Sequence, residues 1–341
     1  MQAALLVSAL AVLTLLPIAQ AQESSTTPVF RVDSSLTLVD VIAENRKTGL
    51  RTRELLTTLK REDFQIFDNG REMPIESFDI GAEYTTRPIA LWLIVQCDQK
   101  KPLGFNSMFM RGKTQFLKPA LEHLGANDSI GVAHWCDDGN AELDLLPEHD
   151  SDAALAKVEE VLSEKPITGK NRPGELAMQG MIRMVLKNTH ETVPQRLPIF
   201  LFLYGDHCAT YVAEANSIVT DLLETSGMVY GMNDGTWPFD SHRMMPAIGV
   251  VPGAGQISYL VHYYSGETGD EVYSTIDPKL YSAALDYILT QLHLRYTIGF
   301  KPLNLDGKRH SLTVQLTPEA RKRFPSAELR FRPEYVPVAN R

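Results

Sequence analysis

An α/β architecture is the fold class this sequence predicts: a doubly wound, mostly parallel sheet inserted into a small β-rich domain made from both chain ends. Three observations point to it. Ile89-Ala90-Leu91-Trp92-Leu93-Ile94-Val95 is a short apolar run without polar alternation, the pattern of a strand covered on both faces. From Pro88 onward, strand-like and helix-like stretches alternate, which is the grammar of a parallel sheet. Before Gly81 and after Leu294 the patterns are those of strands, and neither end alone has enough of them to bury an apolar face. The expected divisions are residues 28–84, 87–294 and 295–337, with the last pairing with the first.

Taken in order, residues 5–19 are almost wholly apolar but too short for a comfortable membrane span, and Ala19-Gln20-Ala21 follows as a small-x-small cleavage pattern. A signal peptide over residues 1–21 and export to the periplasm or the medium are predicted. No Lys or Arg precedes the apolar stretch, so a retained N-terminal anchor is the alternative, and membrane contact is expected only if that segment stays. In the N-terminal β segment, Leu36, Leu38 and Val41 alternate in part, and Leu55 to Leu59 suggests a helical turn. Phe64-Gln65-Ile66-Phe67-Asp68 ends in Asn69-Gly70, a hairpin signal because both residues tolerate positive φ, with Ile75 and Phe78 expected on the return strand.

Within the α/β region, a helix near Gln115 to Leu124 has Pro119 as an obstacle. Ser129 to Trp135 reads as a strand, Ala153 to Leu162 and Leu176 to Lys187 as helices, and Leu197 to Tyr204 as a second very apolar strand. Helix Val212 to Thr225, a stop at Gly227 and strand Met228 to Met232 follow. After an irregular stretch from Asn233 to Pro252, Leu280 to Leu294 places Tyr281, Ala284, Leu285, Ile288 and Leu292 at helical spacing. Strands over Arg295 to Phe300, Ser311 to Leu316 and Glu328 to Arg332 close the chain.

Composition removes several function classes. The chain has 341 residues, 44% of them hydrophobic and 22% charged, so a core can form without staples. A formal net charge of −9 and a pI near 5.5 argue against nucleic acid as a partner, since neutralising phosphates takes clustered Lys and Arg. Arg321-Lys322-Arg323 is read as a solvated loop. Catalysis has little support: Asp137, Asp138 and Asp144 read as a solvated loop between strands, Ser265-Gly266 lacks a nucleophile elbow, and no Gly-rich phosphate loop follows a strand. His242 and His262 are lone histidines of structural type. Three cysteines in an exported chain allow one disulfide and leave one thiol.

The order of these signals resembles the secreted bacterial von Willebrand factor type A-related domain proteins. The stretches that carry the resemblance are Leu59 to Gly70, the strand Ile89 to Val95, Asp128-Ser129-Ile130-Gly131-Val132, Glu267-Thr268-Gly269-Asp270, Leu294 to Phe300, Asp306-Gly307-Lys308 and Arg332-Pro333-Glu334-Tyr335. The resemblance implies a metal-ion-dependent adhesion site, in which Asp-x-Ser-x-Ser, a Thr and a second Asp hold Mg²⁺ for a partner's carboxylate. Mg²⁺ demands hard oxygens in octahedral geometry. Here the aligned positions read Gln96, Asp98 and Lys100, the Thr position falls among residues 167–174 with Lys170 and Arg172, and Asp206 stands near the second Asp. The metal site is therefore expected to be degenerate. No cofactor is implied beyond a residual divalent cation held by Asp98, Asp206 and water.

The same resemblance brings Cys97, Cys136 and Cys208 to one edge of the sheet. Cys97 with Cys208 is the preferred disulfide and Cys97 with Cys136 is close behind, because connectivity does not follow from sequence. His134 and His207 lie near that edge, so a thiolate and imidazole metal site, or a redox-responsive protein, is the alternative function. The leading expectation is a non-catalytic exported module that binds an unknown protein partner through Asp98, Lys100, Lys170, Arg172, Asp206, His207 and Trp237. Phe239, Met244 and Met245 are further apolar candidates.

Overall fold

A computed structural model describes residues 36–46, 53–81, 87–97, 114, 117–136, 140–163, 174–204, 215–233, 258–274 and 278–337, all within the unit Ser34–Arg341. The central element is β6 (Ile89–Cys97), buried from Ile89 to Gln96. Its residues alternate between two cores, Ile89, Leu91, Leu93 and Val95 entering one and Ala90, Trp92 and Ile94 the other. An apolar run without polar alternation is what such double burial requires.

Five further strands complete this sheet: β7 (Ser129–Cys136), β8 (Ala141–Glu148), β9 (Leu197–Tyr204), β10 (Met228–Asn233) and β11 (Val272–Ser274). The order is β11-β10-β9-β6-β7-β8, with every neighbouring pair parallel except β7 with β8. On one face lie α1 (Lys118–Leu121), α2 (Ser151–Ser163) and α6 (Pro278–Leu294), on the other α3 (Gly174–Thr192), α4 (Ala215–Thr225) and α5 (Ser258–Thr268). The doubly wound, mostly parallel sheet is thus the one the sequence predicts. Gly131 is required beneath Trp92: a Cβ there would lie 2.8 Å from the indole ring. The buried indole N–H of Trp92 is satisfied by Thr189 Oγ1 at 2.9 Å.

Strands from the two chain ends pair beside this sheet. β1 (Thr37–Arg46) pairs with β12 (Tyr296–Phe300) through Val41 and with β14 (Ala327–Arg330) from Ile42, while β2 (Arg53–Leu55) and β5 (Ser77–Ile80) extend the same sheet. A second sheet has the order β15-β13-β3-β4, built from β3 (Phe64–Asp68), β4 (Arg71–Met73), β13 (His310–Leu316) and β15 (Glu334–Tyr335). Val39, Val41, Phe64, Ile66, Tyr296, Ile298, Leu312 and Val314 form the core they share. The turn Asn69-Gly70 has φ of 49° and 80°, the pair of positive values that a two-residue hairpin needs.

Several local expectations are corrected. Pro119 sits in the first turn of α1 (Lys118–Leu121), where its missing N–H costs nothing and it is no obstacle, and that helix ends at Leu121 rather than Leu124. The turn expected at Leu55 to Leu59 is instead a 3₁₀ turn at Arg61–Asp63. Phe78 belongs to β5 and pairs with Ile298 on β12, so the return strand of the hairpin is only Arg71–Met73. The buried phase of β1 is Val39 and Val41, with Leu38 only half-buried. Arg321-Lys322-Arg323 is the last turn of α7 (Pro318–Arg323), capped by Thr317, where cations suit the helix dipole. α5 and β11 gave no sequence signal, and His262 lies on α5, where burial pushes its pKa down to about 4.

The amino ends of the parallel strands are locked by buried charge. Asp128 Oδ1 accepts from Ile89 N at 2.9 Å, and its Oδ2 accepts from Gly125 N at 2.7 Å and His293 Nε2 at 2.8 Å. Burial alone would raise the Asp128 pKa, but the bonds from His293, Ile89 and Gly125 outweigh it and hold the carboxyl below its usual range. Beneath β10, Asp270 Oδ2 accepts from Val229 N at 3.0 Å and Thr268 Oγ1 at 2.9 Å, and burial pushes Asp270 up to about 7 against the opposing Arg330. Arg330 reaches from β14 into this layer, 3.6 Å from Glu44 and 3.5 Å from Glu271, and also donates to Gln291. Gly269, at φ 84°, packs against the backbone of Phe331 and Arg332, which leaves no room for a side chain.

Candidate functional site

The opposite edge, where the parallel strands end, is built by their register. Val95, His134 and Leu203 stand in one row, Gln96 and Trp135 in the next, and Cys97 opposite Cys136 beyond them. The two longest connections leave this edge, residues 98–117 from β6 to α1 and residues 234–257 from β10 to α5, beside two short ones, residues 137–140 between β7 and β8 and residues 275–277 between β11 and α6. At the other edge they are short, Ser226 and Gly227 between α4 and β10, or residues 193–196 between α3 and β9. In open α/β sheets, ligands collect outside the carboxyl ends of the strands, where such connections converge.

The described part of this edge is polar on its β7–β8 side. Trp135 packs edge-on against Phe202 in one core, which turns His134 to the opposite face. His134 lies across from Glu142 in the β7–β8 register. A register shift then pairs Val132 with Leu145 and Ala133 with Leu143, leaving Asp144 between them as the extra residue of a β-bulge. His134 Nδ1 is 2.9 Å from both Asp144 oxygens. One ligating atom from each of His134, Glu142 and Asp144 lies within 4.8 Å of the other two. Nearby, Thr114 Oγ1 donates to Glu159 Oε1 at 2.7 Å, fastening the chain after β6 onto α2.

Of the residues singled out from the sequence, Gln96 is described and its side chain is buried. Cys136 ends β7 and is buried, and the backbone of Cys97 ends β6. Asp98, Lys100, Lys170, Arg172, Asp206, His207, Cys208 and Trp237 lie outside the described residues, as do Phe239, Met244, Met245, Asp137, Asp138 and His242. Asp144 is a correction: it belongs to strand β8 and faces His134, and is not part of a solvated loop. The missed signal was in the sequence. Ala141-Glu142-Leu143-Asp144-Leu145 alternates polar with apolar, as a half-buried edge strand does.

No family model matches the chain, and no curated protein matches it. Among solved structures, the VWA domain of SpRpn10 is 7% identical over 60% of this chain and 95% of its own, with a TM-score of 0.38. An aerotolerance-related membrane protein from Bacteroides fragilis is 10% identical over 60% of this chain and 99% of its own, at 0.39. A von Willebrand factor type A protein from Catenulispora acidiphila is 10% identical over 84% of this chain and 76% of its own, at 0.37. The first and third of these are named as von Willebrand factor type A, the fold that the sequence resemblance implies. The assignment of the fold rests on the strand order and register given above.

Proposed function

We propose that this chain is an exported, non-catalytic protein-interaction module of the adhesion type, which docks a protein partner on the carboxyl edge of its central sheet without Mg²⁺. The observation that supports it is the placement of the two longest connections, residues 98–117 and 234–257, both at the carboxyl ends of the strands, while strands of the two chain ends lie beside the opposite edge. The donor set supports the Mg²⁺-independent part. Gln96 and Lys100 stand where the adhesion site would place a carboxylate and a hydroxyl, and an ammonium has no lone pair to offer a cation.

Contacts are assigned to Asp98, Lys100, Lys170, Arg172, Asp206, His207 and Trp237, a charged rim around an aromatic anchor. A Cys97–Cys136 disulfide is part of the proposal, since residues directly opposite on neighbouring strands bring their Cα atoms within bridging range. The experiment is crosslinking of the tag-free chain to the exported proteins of its own cell, followed by mass spectrometry with and without EDTA. One partner captured equally in both conditions, and lost with Lys100→Glu or Trp237→Ala, supports the reading. Capture abolished by EDTA, or indifferent to both substitutions, overturns it.

A further inference from the structure

We propose that His134, Glu142 and Asp144 form a divalent-cation site for a borderline metal of the zinc type on the β7–β8 pair, built from residues other than the adhesion-site positions Gln96, Asp98, Lys100 and Asp206. The donor set is one imidazole and two carboxylates, which suits Zn²⁺ and is a poor choice for Mg²⁺, an all-oxygen ion. Geometry brings the three together from only two strands. Glu142 lies opposite His134 by register, and the β-bulge supplies Asp144. Bulges of this kind re-aim side chains beside functional sites.

Distances agree with that assignment. Two donors on a tetrahedral zinc, each about 2.0–2.1 Å from the metal, stand about 3.3 Å apart. The present 2.9 Å between His134 Nδ1 and either Asp144 oxygen, with all three ligating atoms inside 4.8 Å, calls for small side-chain rotations and no strand movement. The His134 and Asp144 side chains are 12% and 10% exposed, so the pair is shielded on the protein side, while exposed Glu142 leaves a path for the ion. Two carboxylates against one dication nearly balance the charge. Three protein ligands leave a fourth position for water or for a carboxylate from outside, as in zinc sites that remain open.

Without the ion, the Nδ1 proton of His134 bridges to Asp144. Binding displaces that proton, so uptake releases protons. The test needs no partner, and its failure leaves the docking reading untouched. Tag-free chain is stripped with EDTA, exchanged into buffer and titrated with zinc chloride by calorimetry in two buffers of different ionisation heat, with metal content checked by elemental analysis. One equivalent of zinc, a buffer-dependent heat and no response to magnesium are expected.

Asp144→Asn and His134→Ala should each weaken binding about tenfold or more, by analogy with the cost of disturbing a metal's ligand shell. Glu142→Gln, on an exposed residue, should weaken it and carries the test if His134→Ala does not fold. Replacing Cys97, Cys136 and Cys208 with Ser should leave binding intact. No zinc taken up by the unaltered chain, uptake unchanged in Asp144→Asn and Glu142→Gln, or uptake lost with the cysteines would each overturn the proposal.

Discussion

The two edges of the central sheet solve opposite problems. At the amino edge, buried charges are held by fixed partners. Asp128 joins the start of β6 to the end of α6 through His293, Asp270 holds the start of β10, and Arg330 brings β14 against Glu44 and Glu271. At the carboxyl edge, His134 on β7 and Asp144 on the edge strand β8 are mostly covered, Glu142 beside them is exposed, and the two longest connections leave the sheet. Buried ion pairs contribute specificity more than net stability, but removing one member is costly because its partner is left in low dielectric. The lesson is that one edge fixes how the β-rich strands seat on the α/β layers, which leaves the other edge able to vary its surface without unseating them.

Substitutions should therefore cost most at the amino edge. Arg330→Ala takes the guanidinium from between Glu44 and Glu271, and a loss of about 3–5 kcal/mol is expected in urea unfolding. A loss below about 1 kcal/mol would break the comparison, since it would mean that this layer is hydrated. Next is Gly269→Ala. Its φ of 84° and the Phe331–Arg332 backbone against it predict a cost of roughly 1–3 kcal/mol, read from the same transition.

The carboxylates of this edge should also give it a distinct pH response. Asp128 has a depressed folded pKa, so its contribution is present above the unfolded value near 4 and is lost as pH falls through the folded value. Asp128→Asn should cost about 1.5 kcal/mol at pH 7 and flatten the acid limb of the stability curve. Asp270 runs the other way. With its pKa raised to about 7, the folded chain keeps a proton that the unfolded chain has released, so its contribution is full below about pH 4 and is lost as pH rises to 7. Asp270→Asn, which cannot ionise, should gain on the unaltered chain steadily over that window in thermal midpoints. A constant difference from pH 4 to 8 would refute the assignment. His262, neutral in the fold, titrates in the same window, but it is present in both chains and cancels.

The parallel core was legible in the sequence because covered strands have to be apolar throughout: Leu197–Tyr204 was read to the residue, and β6 was read within two. The pairing of the chain ends was legible from strand-type patterns that could not close alone. The amino-edge network was not, because Glu44, Glu271 and Arg330 are distant in sequence and each looks like an ordinary surface charge until the fold buries it. His134 was read among the cysteines, while its nearest partner, Asp144, was missed. The signal was present, since the alternation of Ala141 to Leu145 puts Asp144 on the same face as Glu142 opposite His134, but Asp144 was grouped with Asp137 and Asp138 as loop.

The smallest effect on folding belongs to the carboxyl edge. Glu142 is exposed on an edge strand, and Glu142→Gln keeps its length and its acceptor oxygen while removing one charge. Its stability should stay within about 0.5 kcal/mol of the unaltered chain when both are free of metal, as for most surface changes. With zinc added in excess, the unaltered chain should rise in melting temperature and the variant should rise less, because an ion that binds only the folded state stabilises in proportion to the logarithm of its concentration over its dissociation constant. Equal rises would place the ion elsewhere. A large loss without zinc would show that the carboxyl edge is as locked as the amino edge, and the contrast between the two would no longer stand.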